Sequence, residues 1–227
     1  MSIVNVKQVK RSYQQGTHEV KALRGVDLSI KEGEFTVLMG ASGSGKTTLL
    51  NIIGGLDTAD SGSVEVDGNH FDQLSAGALS DIRLKRLGFV FQAYNLIPVL
   101  SAYENAEFVL LLQGMPVKQR KERVMSTLKA VGLEGMEHRK PSELSGGQQQ
   151  RVAVARAIAG RPALVLADEP TANLDSKTSN SLIALMKELN KNNNITFLFA
   201  THDPKVMAAA KRVVTMEDGL IVTDESR

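Results

Sequence analysis

The sequence predicts an α/β fold organised around a parallel sheet. Three observations carry that expectation. Phe35–Met39, Ala163–Ala167 and Ile195–Ala200 are short apolar runs, as strands covered on both faces must be. Leu182, Leu185 and Leu189 recur at helical spacing between the last two runs, which gives the strand–helix–strand order of a parallel sheet. From about Ala93 to Ala155 the pattern is continuously helical, which sets a helical subdomain apart from the sheet.

Taken from the N-terminus, Ile3–Ile30 reads as strands, with Val4, Val6 and Val9 apolar among Lys and Gln, followed by Val20, Leu23, Val26, Leu28 and Ile30. Lys31–Glu34 is a turn into Phe35–Met39. After a glycine loop, Thr47–Ile53 is a helix stopped by Gly54 and Gly55. Val64–Val66 ahead of Asp67-Gly68 is half of a hairpin, and Gly88–Phe91 is a further short strand. Ser101 and Glu104 form a capping box that opens a helix over Glu104–Gln113. Pro116 begins a second helix, with Val124, Leu128 and Val131 on one face and Gly132 as its stop; Lys118, Arg120, Lys121 and Arg123 read as its solvated face. Ser145 opens a third, carrying Val152, Ala155 and Ala159 and ended by Gly160 and Pro162, with Arg151 and Arg156 read as surface charge. Arg212–Met216 and Leu220–Thr223 close the chain as a hairpin about Glu217-Asp218-Gly219. The expected organisation is one domain over residues 1–227: a core with an antiparallel β-subdomain from 1–92 and 157–227, and a helical subdomain from 93–156.

Composition bounds the function classes. A chain of 227 residues with 42% hydrophobic and 23% charged residues is ordinary for a globular domain with a large core. A net charge of +2 offers no electrostatic case for nucleic acid, where a concentrated basic face is expected. Without cysteine there is no disulfide, thiolate metal site or thiol nucleophile. The densest apolar run, Phe108–Leu112, is far short of the roughly 20 residues that span a bilayer. If the work is transport, a membrane partner has to supply the passage.

The chemistry sits in five motifs in a fixed order: GASGSGKT (Gly40–Thr47), Gln92 after an apolar strand, LSGGQ (Leu144–Gln148), LVLADE (Leu164–Glu169), and His202 after another apolar strand. The first fits GxxxxGK[ST] between a buried strand and a helix, the context in which that pattern binds phosphate. Gly40, Ser42, Gly43, Ser44 and Gly45 let the backbone curl so that successive N–H groups, with those of Lys46, Thr47 and Thr48 at the helix start, converge on phosphate oxygens. Lys46 is expected to reach the β- and γ-phosphates, and the Thr47 hydroxyl to ligate Mg²⁺. Asp168 suits the Mg²⁺ shell, and Glu169 suits the polarising of an attacking water. Lys46, Gln92, Asp168 and His202 all lie just past the C-terminal ends of apolar strands, where open α/β sheets bind ligands. Ser145, Gly146, Gly147 and Gln148 fit a close-approach anion site at a helix start, and equally the S-x-x-Q capping box; the two roles can coexist. His18, His70 and His138 have no such context and are expected to face solvent.

LSGGQ ahead of an apolar strand ending in Asp-Glu, with the phosphate loop upstream and a late His, resembles the ATPase subunits of ABC transporters over essentially the whole chain. The resemblance implies a RecA-like P-loop NTPase core, ATP and Mg²⁺ as ligands, and ATP hydrolysis. It implies that LSGGQ binds the γ-phosphate held by a second subunit, so that two copies pair head to tail around two ATPs. Thr171–Asp175 is similar to the loop that crosses that interface, which adds Asp175 to the nucleotide site. His202 in Ala-Thr-His-Asp is similar to the switch histidine at the γ-phosphate. Gln92 is similar to the glutamine that meets the metal and links nucleotide to the membrane subunit, and Tyr13 stands where the family keeps an aromatic that stacks on adenine. The implied partner is an integral membrane permease on a separate chain, with this chain at the cytoplasmic face of the membrane. Soluble ABC ATPases of translation or DNA repair are an alternative, but they usually carry two cassettes or a long coiled-coil insertion, neither of which is visible here. A P-loop kinase or GTPase has no use for LSGGQ, and a guanine-reading NKxD motif is absent. The stretches Thr17–Leu23, Asn51–Asp57 and Gly88–Leu100 further resemble the LolD/MacB group, which serves lipoprotein release, efflux and envelope signalling.

Overall fold

The computed structural model describes residues 2–227. Two sheets form. The larger is built on strands β3 (Phe35–Met39), β6 (Leu87–Val90), β7 (Leu164–Asp168), β8 (Thr196–Thr201), β9 (Arg212–Glu217) and β10 (Leu220–Ser226), in the order β10-β9-β3-β8-β7-β6. All neighbours are parallel except the β9–β10 hairpin. The smaller sheet is antiparallel, in the order β2-β1-β4-β5, from β1 (Ser2–Gln15), β2 (His18–Lys31), β4 (Ser61–Val66) and β5 (Asn69–His70).

Period-two alternation divides the central strands between two cores. Phe35, Val37, Val165, Ala167, Phe197 and Phe199 face one side, where the three Phe rings pack with centroids 4.6–5.8 Å apart. Helices α3 (Ala102–Leu112), α4 (Val117–Ala130), α5 (Gly146–Ala159) and α6 (Ser176–Asn193) contribute most of the rest of that core. Leu38, Leu164, Leu166, Leu198 and Ala200 face the other side, against α1 (Lys46–Ile53) and the antiparallel sheet through Val4, Val6, Leu23 and Ile30. Strands buried on both faces explain why their sequences read as apolar runs.

The structure departs from the sequence expectations in identifiable places. Two helices were not expected: α2 (Ala76–Arg86) and α7 (Pro204–Ala209). Helix α2 has no buried residue, so no apolar stripe announces it; Ser75 caps it by accepting the Ala78 N–H, and Arg83 ties it to the Gly55 carbonyl at 2.6 Å. Helix α7 is short, begun by Asp203 as cap and Pro204 in its first turn. Helix α3 begins at Ala102, because the capping box at Ser101 holds the turn that the expectation starts at Glu104. Helix α5 ends at Ala159 with Gly160 as its cap, where the sequence reading stops it.

The charged face expected on α4 is partly wrong. Lys118 and Lys121 are exposed, but the Arg120 guanidinium donates to Glu107 at 2.9 Å and to the Met115 carbonyl at 2.7 Å, bridging α4 to α3. Arg151 and Arg156 are not free surface charge either. Arg151 reaches the Val131 carbonyl and the Ser181 hydroxyl, and Arg156 is largely desolvated, which lowers its pKa. His18, His70 and His138 are exposed, as expected.

Candidate active site

The ends of β3, β7 and β8 deliver the reactive groups to one edge of the sheet. β3 runs into the glycine loop and then α1, whose N-cap is Gly45 with no side-chain cap. The first-turn amides of such a helix have no intrahelical acceptor, so they and the helix dipole present a positive end to the loop. Gly45 has φ 101°, and a Cβ there would lie 2.6 Å from the Ala22 carbonyl oxygen of β2; glycine is required on both counts. The loop is pinned from below by the β9–β10 turn, where the Gly219 N–H donates to the Ser44 carbonyl at 3.1 Å. Ser42 and Gly43 are exposed at its tip; Ser44 is buried, and its hydroxyl has no partner.

Lys46 is buried, and its ammonium donates to the Gly40 and Ala41 carbonyls at 2.7 and 2.8 Å. Burial lowers its pKa, while the charges of Glu169 and Asp168 oppose that shift. Thr47 Oγ1 donates to Asp168 Oδ1 at 3.1 Å. Burial raises the Asp168 pKa, with the Glu169 charge adding to it and the Thr47 hydrogen bond and Lys46 charge resisting. Two carboxylates and one ammonium thus share a partly dry edge. Thr48 is half-buried in the same first turn.

Glu169 has φ 44°, a left-handed backbone uncommon for a residue with a side chain. Its N–H donates to the Ala200 carbonyl at 2.9 Å, which holds that conformation against β8. Its carboxylate is held at both oxygens: Oε2 accepts from Thr201 Oγ1 at 2.8 Å, and Oε1 accepts from the His202 N–H at 3.2 Å and lies 2.6 Å from His202 Nδ1. The His202 side chain is 72% exposed and the Glu169 side chain 18%, so the histidine is the group free to meet a ligand.

Gln92 follows β6 and is exposed; its carbonyl accepts from Asn173 Nδ2 at 3.0 Å, which ties it to the loop after β7. Beyond Ala93, Tyr94 and Asn95 have φ 57° and 50°, and the Arg156 guanidinium donates to both of their carbonyls. Arg156→Ala leaves two carbonyls of this left-handed turn without their charged donor. We expect a loss of about 2 kcal/mol in urea unfolding, the usual scale for hydrogen bonds to a charged group. A second unanticipated residue, Gln150, is fully buried and donates to the Pro170 carbonyl at 2.8 Å, so α5 is held to the loop that carries Glu169.

Ser145 caps α5: its Oγ accepts from the Gln148 N–H at 3.3 Å, and its own N–H donates to Gln148 Oε1 at 2.9 Å. The capping reading is therefore realised. No hydrogen bond among the described residues joins Ser145–Gln148 to the glycine loop or to Asp168–Glu169 of the same chain. Close packing surrounds the two glycines. A Cβ at Gly147 would lie 2.3 Å from Thr178 Cγ2, and one at Gly146 would lie 2.9 Å from the Tyr94 hydroxyl. Asp175 caps α6 by accepting from the N–H groups of Lys177 and Thr178 and from the Thr178 hydroxyl. Tyr13 lies near the end of β1, its hydroxyl bonded to Asp57 and its ring covered on one face by the Arg11 guanidinium, 4.8 Å from the centroid.

The donor set fits Mg²⁺. Thr47 and Asp168 are hard oxygen donors, and no group of three or more acidic or histidine side chains gathers among the described residues. An ion that keeps waters and substrate phosphates in its shell needs no fuller protein cage.

The ABC transporter family profile matches residues 23–172. The macrolide export ATP-binding/permease protein MacB of Mannheimia succiniciproducens is 41% identical over 227 residues, covering 100% of this chain but 35% of that protein, so the chain spans about a third of its length. The lipoprotein-releasing system ATP-binding protein LolD of Pseudoalteromonas translucida is 41% identical over 99% of this chain and 97% of its own. A dimeric structure of the ATP-binding cassette MJ0796 of Methanocaldococcus jannaschii, in a post-hydrolysis state bound to ADP and Pi, matches with TM-score 0.90 at 44% identity, covering 98% of each chain.

Proposed function

The chain belongs to the ABC transporter family, and from that premise we propose that it binds and hydrolyses ATP as the motor subunit of a transporter. The observation that supports it best is the convergence of Lys46, Thr47, Asp168, Glu169 and His202 on one sheet edge, with Glu169 held at both oxygens. The amides of the glycine loop and the Lys46 ammonium bind the β- and γ-phosphates, exchanging the Gly40 and Ala41 carbonyls for phosphate oxygens. Glu169 orients the attacking water and polarises it; a carboxylate anchored by Thr201 and His202 cannot swing out of line. His202 contributes its exposed edge to the γ-phosphate. Thr47, Asp168 and Gln92 hold Mg²⁺, which when bound neutralises charge on the phosphoryl group. Tyr13, already backed by Arg11, offers its remaining face to adenine.

Ser145–Gln148 and Asp175 make no hydrogen bond to this chain's own phosphate loop, and we assign them to the nucleotide of a second copy, head to tail. Capping does not oppose that role. A capped helix start still directs backbone N–H groups outward, and Ser145 is exposed.

No helix among the described residues is long and apolar enough to cross a membrane. We assign the passage to a separate permease, with this subunit on the cytoplasmic face, a reading supported by the likeness over almost the whole of both chains to LolD, an ATP-binding protein of a lipoprotein-releasing system. Its docking place is an apolar groove of about 410 Å³ beside the residues that follow Gln92, lined by Phe89, Phe91, Phe108 and Leu112, where Leu112 is 56% exposed. The likeness to MacB and LolD supports a permease that expels or releases molecules at the cell envelope. Leu112→Asp puts a charge into the groove. Co-purification with the multi-spanning permease is expected to fall about tenfold, the effect of losing roughly 1.4 kcal/mol, while ATP hydrolysis by the isolated chain persists. Retention of nucleic acid or ribosomes instead of a membrane protein would sink the transport reading.

A further inference from the structure

One sizeable cavity lies nowhere near the phosphate loop. It has a volume of about 580 Å³ and opens at the opposite edge of the sheet, where Ala163 and Ile195 lead into β7 and β8. Arg123 of α4 and Arg161, from the link between α5 and β7, both line it. Neither guanidinium forms an ion pair or donates a side-chain hydrogen bond among the described residues. Arg120, Arg151 and Arg156, on α4 and α5, all have acceptors. Burial lowers the Arg123 pKa, and the charge of Arg161 lowers it further, so two like charges face one space. The one carboxylate in the lining, Glu32, is exposed and paired with neither. The carbonyl ends of α5 and α6 offset part of the repulsion, yet neither supplies a bonded acceptor. Asn193 and Asn194 add neutral donors around the same space, whereas the Ser126 hydroxyl already donates to the Arg123 carbonyl at 2.8 Å.

We infer that this cavity is a binding site for a phosphate-type oxyanion, held between Arg123 and Arg161. Guanidinium groups match such an ion bidentately, and two of them with unspent donors are what it needs. The position gives the site a consequence. Helix α5 starts at Ser145 and ends at the cavity, about 21 Å away; α6 starts at Asp175 and ends there after about 27 Å. An anion bridging α4 to the link before β7 therefore ties the helical layer to the sheet at the far ends of both helices.

The test uses the full chain carrying Lys46→Ala, which weakens phosphate binding at the glycine loop, titrated calorimetrically with inorganic orthophosphate. A one-site isotherm is expected, weakened at least about tenfold by adding Arg123→Gln and Arg161→Gln. Adding Arg123→Lys and Arg161→Lys instead keeps both charges but loses the bidentate fork, and is expected to bind orthophosphate more weakly than the Lys46→Ala chain yet clearly more tightly than the glutamine pair, which separates loss of the site from loss of the fold. A parallel titration with AMP separates the two sources of the phosphate: equal affinity assigns the free ion, and about tenfold tighter AMP binding assigns a phosphate ester. A flat isotherm in the Lys46→Ala chain, or one that the glutamine pair leaves unchanged, overturns the site. Neither outcome bears on ATP hydrolysis, which is measured separately.

Discussion

Glu169→Gln is expected to slow ATP turnover by about 10²–10⁴-fold, the range for removing a positioned general base, while ATP binding stays intact. The fold should accept the change. Glu169 Oε1 now receives the His202 N–H, and Oε2 receives the Thr201 hydroxyl. A glutamine keeps its carbonyl oxygen for the first contact, and its NH₂ can donate to the Thr201 oxygen, because a hydroxyl both gives and accepts. What disappears is the negative charge that, in the role proposed for Glu169, orients water. Steady-state phosphate release and equilibrium nucleotide binding separate these effects; near-normal release by the variant would remove Glu169 from its role.

Lys46→Ala fails at the earlier step. The ammonium is buried under the loop with two bonded carbonyls and the charges of Asp168 and Glu169 nearby. Removing it takes the neutralising charge from two carboxylates and from the incoming phosphates at once. Two charge-assisted hydrogen bonds at about 1.5–3 kcal/mol each amount to roughly a 10²–10⁴-fold loss of ATP affinity. Fluorescent-nucleotide titration measures it directly. Thr47 and Asp168 remain, so an unchanged affinity would mean that the amides alone hold the phosphates.

How legible this molecule is from sequence depends on whether a residue's role is local. β3, β7 and β8 were readable because burial on both faces leaves an apolar run with little ambiguity. The glycine loop was readable because a backbone cradle needs glycines at fixed spacing between a strand and a helix. The pairing of Glu169 with Thr201 and His202 was not, since three residues from two strand ends meet only once β7 and β8 lie side by side. Arg156 and Gln150 escaped for the same reason: their acceptors are backbone carbonyls of distant loops, and no side-chain pattern records those. Arg120 carries a plainer lesson. A cation on an otherwise charged helix face reads as solvated until the neighbouring helix brings Glu107 to it. Helix α2 leaves no apolar stripe because it buries nothing, whereas Asp203-Pro204 marks the start of α7 in the sequence itself.

One structural fact organises the functional reading. Lys46, Thr47, Asp168, Glu169 and His202 meet within one chain, whereas Ser145–Gln148 make no hydrogen bond to that group. Sedimentation of the Glu169→Gln chain with ATP, alone and combined with Ser145→Arg, tests the two-chain nucleotide site most directly. The account predicts an ATP-dependent dimer that Ser145→Arg abolishes, because the arginine blocks the serine's approach to the other chain's nucleotide. A chain that stays monomeric with saturating ATP at concentrations of about 100 μM, or a dimer indifferent to Ser145→Arg, would contradict it.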